Sequence, residues 1–67
     1  KRTTREKLLA YLSAQAKNAG SGSFCIHLNR QQLADYLSVE RSAMSAELSK
    51  LKKDRVLEFR KNCFTLL

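Results

Sequence analysis

The sequence predicts a small α+β domain of three helices and a short antiparallel sheet, ordered helix, strand, helix, tight turn, helix, hairpin. Three observations carry this reading. Two segments open on paired capping residues and continue with apolar residues at helical spacing, the start signature of an α-helix. Two other stretches alternate apolar and polar residues instead, as half-buried strands do. At 67 residues there is room for one core only, so all these elements must share it.

The first helix is expected over residues 3–18. Thr3 and Glu6 form a capping box, and Leu8, Leu9, Leu12 and Ala16 make one apolar stripe. Gly20, within Ala-Gly-Ser-Gly-Ser, closes it in a left-handed conformation. A strand follows over 24–28, with Phe24, Ile26 and Leu28 on one face. Asn29 and Gln32 then set a second capping box for a short helix over 30–37. Ser38-Val39 interrupts it, and a third helix runs from Glu40 to about Asp54 with Met44, Leu48 and Leu51 inward. Ser38 and Arg55 fall where a helix ends in a left-handed residue, which costs a non-glycine about 1 kcal/mol. Residues 56–67 read as two strands joined at Lys61-Asn62, where Asn tolerates positive φ. A two-residue loop there pairs Phe59 with Phe64 and Leu57 with Leu66 on the inner face, leaving Glu58, Arg60, Cys63 and Thr65 outside.

Thirteen Lys and Arg stand against six Asp and Glu, a net charge of +7, which points to a polyanionic partner, with nucleic acid ahead of an acidic membrane surface. Chemistry-bearing clusters are lacking. One His, no phosphate-cradling glycine loop and no nucleophile–base pair speak against an enzyme, and no catalytic residue or cofactor is expected. His27 near Cys25 lacks the further ligands a metal site needs, so no metal is expected either. Cys25 and Cys63 are read as free thiols of a reducing cytoplasm, on the sheet face away from the helices. No apolar run approaches a membrane span, and no signal peptide is visible. The missing initiator Met suggests a fragment of a longer protein, with removal of the Met by processing as the alternative.

Two short helices joined by a tight turn and followed by a hairpin describe a winged helix-turn-helix. The residues Asn-Arg-Gln-Gln-Leu-Ala-Asp-Tyr-Leu (29–37), Ser-Val-Glu-Arg-Ser-Ala-Met-Ser (38–45) and Glu-Leu-Ser-Lys-Leu (47–51) resemble the helix-turn-helix of the Crp/Fnr family, the bacterial regulators related to the cyclic-AMP receptor protein. The likeness continues through Leu-Glu-Phe-Arg-Lys-Asn-Cys-Phe-Thr-Leu (57–66), similar to the wing of one branch of that family. It implies that residues 1–67 are one DNA-binding domain of a transcription regulator, whose N-terminal effector domain and dimerisation helix lie outside this chain. The intact protein would then be a cytoplasmic homodimer on double-stranded DNA.

Residue chemistry agrees with that implication. The outward side of the third helix carries Arg41, Ser42, Ser45, Ala46 and Ser49, short or hydrogen-bonding groups suited to a major groove about 12 Å wide. Arg41 is the first choice for a base contact, since a guanidinium takes guanine O6 and N7 in a bidentate pair, and the matching family position reads a guanine. A phosphate contact is its alternative. Ser42 occupies another base-reading position of the family. Ala46 replaces an Arg found in many relatives and offers only a methyl group to a thymine, so the family's usual recognition sequence does not carry over. Phosphate contacts are expected from Arg30 with the free N–H groups of the second helix's N-terminus, and from Ser45, Lys50, Arg60 and Lys61. The rival reading is a winged helix that binds protein or RNA.

Overall fold

The computed structural model describes residues 3–67. Thr3 caps α1 (Thr4–Ala19) in a reciprocal pair with Glu6, and Asn29 does the same with Gln32 for α2 (Arg30–Leu37). Both boxes satisfy N–H groups that the first helical turn leaves without partners. The third helix, α3 (Arg41–Lys53), starts at Glu40 with no side-chain cap. All three helices end in one way. The N–H of Ser21, Val39 and Val56 donates to Ala16, Ala34 and Leu51 respectively, the Schellman closure. It requires a left-handed residue one position earlier, and Gly20 (φ 69°), Ser38 (φ 58°) and Arg55 (φ 60°) supply it.

The sheet has the order β1-β3-β2, with both pairings antiparallel. The wing hairpin, β2 (Leu57–Arg60) and β3 (Cys63–Leu66), has the expected register, Phe59 opposite Phe64 and Leu57 opposite Leu66. Its turn differs in one respect: the positive φ falls on Lys61 (54°), not on Asn62. The first strand, β1 (Ser23–Cys25), is shorter than the expected 24–28. Its partner is β3, which begins only at Cys63. Ile26 still donates to the Asn62 carbonyl at 2.8 Å, but beyond it the wing chain has turned away toward β2.

A larger correction concerns the cysteines. They are not free thiols: Cys25 and Cys63 are opposite each other in the β1–β3 register and joined by a disulfide. The Ile26–Asn62 and Gly22–Leu66 pairs carry the ladder bonds, so the Cys25–Cys63 pair falls between them, where opposed backbones run closest. Both cysteines are exposed on the sheet's outer face, as the alternation implied.

The inner face packs on α1 and α3. Leu8 and Leu12 of α1, Leu33 and Ala34 of α2, and Met44, Leu48 and Leu51 of α3 close one core with Phe24, Ile26, Leu57 and Phe64. Ala34 and Met44 hold α2 against α3, and half-buried Leu37 and Val39 seal the turn between them. That packing fixes α3 as a rigid rod with one side in the core and the other free. No helix among the described residues is long and apolar enough to cross a membrane.

Candidate nucleic-acid interface

Successive helical residues are turned by about 100°, which sorts the exposed positions of α3 into three strips. Opposite the buried Met44, Leu48 and Leu51 run Ser42, Ala46, Ser49 and Lys53, all exposed. Arg41, Ser45 and Lys52 lie on the flank beside the wing, and Ala43 and Lys50 on the other flank. From Ser42 to Ser49 the central strip is narrow and small-chained, so a groove wall can approach the backbone of α3 there.

Where α2, α3 and the wing meet, Asn29, Arg30, Gln31, Arg41, Lys61 and Asn62 line a shallow notch. Three cations face it and no carboxylate does. The Arg30 guanidinium does not simply extend into solvent. It lies over the rings of Phe59 and Phe64, 5.4 and 5.2 Å from their centroids, and its Nη2 donates to the Lys61 carbonyl at 2.6 Å. This contact joins α2's first residue to the wing turn. Partial burial, and then the charge of Arg41, push the Arg30 pKa below the usual arginine value. Its Nη1 has no hydrogen-bond partner among the described residues.

Backbone donors add to this positive field. The Asn29 cap takes the Gln32 N–H, which leaves those of Arg30 and Gln31 at the mouth of the notch. At α3 the first N–H groups lack a side-chain cap, and Arg41 sits at the positive end of the helix dipole. A cation there, beside a second cation, opposes stability of the free domain and suits an anionic partner.

Most acidic side chains are engaged elsewhere. Asp35 accepts from Gln31 at 3.0 Å, Asp54 pairs with Arg5 at 3.6 Å, and Glu58 with Lys52 at 3.9 Å. Lys52 also stands 5.1 Å over the Phe59 ring, so it is tied to the wing. The Ser42 hydroxyl donates to Glu40 at 3.4 Å. Glu47 is half-buried at the edge of α3's inward stripe, with Oε2 unpartnered among the described residues.

The structure thus brings Arg30, Arg41 and Lys61 together in one notch, places Ser42 and Ala46 on the central strip, and sets Ser45 on the wing flank. Lys50 stands apart on the far flank, and Arg60 on the wing's outer side with Glu58, Cys63 and Thr65. Sequence reasoning passed over Gln31 and Asn62 as notch residues. Gln31 was legible as an exposed amide next to a helix cap. Asn62 was read only for its backbone.

Three helices and a three-stranded antiparallel sheet of this order define a small winged helix-turn-helix domain. Over residues 6–67 the sequence matches the Crp-like helix-turn-helix domain, and the chain belongs to that family. Domains of this family serve DNA binding in transcription regulation. Comparison with curated proteins finds no match.

Proposed function

We propose that the chain is a sequence-specific reader of double-stranded DNA that lays α3 in the major groove. Arg41, Ser42 and Ala46 meet base edges, while Arg30, Ser45, Lys50, Arg60 and Lys61 meet phosphates. The observation that carries this is the three-cation, acid-free notch beside the N-termini of α2 and α3. Arg30 and Arg41 repel each other there, and a polyanion relieves that repulsion. Ser45 and Lys50 stand on opposite flanks of a slim helix, as contacts to the two phosphate walls of one groove require. The setting is a bacterial cytoplasm, and the intact regulator is a symmetric homodimer on a palindromic site.

A titration of duplex DNA at two salt concentrations tests the reading. Four cations on phosphates give a log–log slope of about −3.6, so affinity should fall about a hundredfold between about 50 and 200 mM salt. A domain that binds protein instead would show little duplex affinity at either salt. One that prefers single-stranded RNA to duplex would equally overturn the assignment.

A further inference from the structure

We propose that Cys25 and Cys63 form a redox-operated staple that sets how firmly the wing is docked against the start of α2, and thereby the grip on DNA; the second half rests on the DNA-binding reading above. The pair lies at the tip end of the β1–β3 ladder. Asn62, next to Cys63, accepts from Ile26, next to Cys25, and Lys61 accepts from Arg30. The disulfide therefore closes a ring that contains the wing turn, β1 and the N-terminus of α2. Two of the notch's three cations, Arg30 and Lys61, belong to this ring and face Arg41 of α3 across the notch. Without the S–S bond, those two hydrogen bonds, the contacts of Arg30 with the Phe59 and Phe64 rings and the ends of two short ladders keep the turn in place.

Position makes the bond operable. Both cysteines are exposed, on the face opposite the core, so exchange needs no unfolding. The register keeps them opposed whenever the strands are paired, so the bond can re-form after reduction. In a compartment that holds DNA-binding proteins and keeps thiols reduced, a disulfide is typically transient and sensing. Reduction proceeds by attack of a dithiol's thiolate on one sulfur, giving a mixed disulfide and releasing the other cysteine as thiolate. The second thiol of the reductant then displaces the remaining cysteine. Two electrons and two protons pass from the dithiol to Cys25 and Cys63, and the dithiol leaves as its own disulfide. A low-molecular-weight disulfide drives the reverse exchange, leaving as two thiols.

The test measures duplex affinity and amide exchange for the oxidised chain, the chain reduced by a dithiol, and Cys25→Ser. The oxidised form should bind about tenfold more tightly, the worth of one or two pre-positioned phosphate contacts. Cys25→Ser should match the reduced form at any redox poise. The Ile26 amide should exchange faster on reduction, while core amides of Leu12 and Leu48 stay protected and show that the fold persists. Equal affinity of both forms would overturn the staple's control of binding. So would two cysteines that remain open to alkylation after treatment with a small disulfide. If neither form binds duplex, the DNA-binding reading fails; an unchanged Ile26 amide would then sink the docking staple as well.

Discussion

Arg41 and Lys61 share a notch but sit on different supports, which separates their expected effects. Arg41 is the first residue of α3 and moves with the helix that we propose enters the groove. Arg41→Ala should weaken binding to a cognate site by about 1–3 kcal/mol and relax preference at one base pair. Lys61 is the wing turn, and Lys61→Ala should weaken all sequences alike and reduce the salt slope by roughly one unit. Affinities on a cognate duplex and on a set of single-base variants, at several salts, distinguish the two. Uniform loss for Arg41→Ala would make it a phosphate contact. Residue type together with position, the family's base-reading place for Arg41 and the hairpin tip for Lys61, pointed to both side chains. The posture of Arg30 was not legible, because its ring contacts and its bond to Lys61 join segments about thirty residues apart. Glu47 was equally opaque, since its half-burial depends on how α3 is rolled against the core rather than on its own neighbours.

At the scale of elements, the helix ends are the places where backbone conformation and side chain disagree. Ser38 and Arg55 hold left-handed conformations that Gly20 adopts freely. Ser38→Gly and Arg55→Gly should therefore each stabilise the domain by about 0.5–1 kcal/mol, the steric relief less glycine's added unfolded-state entropy. Denaturant unfolding at constant slope would show it; destabilisation would mean that these side chains hold the turns through contacts worth more than the strain. Asn29→Ala should cost about 1 kcal/mol by releasing the Gln32 N–H. Such local features were readable because capping, left-handed closures and the Phe59–Phe64 register follow from residues near in sequence. Strand order was not. Nothing in the alternation of 24–28 states that its partner is β3 rather than β2, so neither the early end of β1 nor the cysteine pairing could be seen. Both cysteines were placed on the outer face correctly, one pairing short of a disulfide.

For the whole molecule, the disulfide closes a loop across a sequence separation of 38 that contains all of α2, α3 and β2. In the chain-entropy account, such a link stabilises the fold by about 4 kcal/mol through the unfolded state. A chain of this length has a total stability of about 3–10 kcal/mol, so reduction should lower the unfolding midpoint markedly, and the reduced domain stays folded at room temperature where the oxidised one exceeds about 4 kcal/mol. The same smallness governs association. One recognition helix reaches only a few base pairs, too little to single out a site among a genome's competing sequences. Pairing two such domains, with helices in successive grooves about 34 Å apart, answers that need. Among the described residues no apolar seam is left for the pairing. Leu8 and Leu12 are wholly inside the core, and Leu9, Tyr11 and Ala16 pack at its edge. Tyr36, at 66% exposure, is the large apolar side chain of α2 that remains outside, and it already meets Tyr11 edge-on at 5.3 Å. The chain alone should therefore sediment as a monomer at tens of micromolar and occupy a palindromic duplex with little cooperativity. Tethering two copies should then raise apparent affinity by about 10²–10⁴. Sedimentation with and without duplex, repeated on a linked tandem, decides it: a stable dimer of the single chain free of DNA would require an interface that the described residues do not offer.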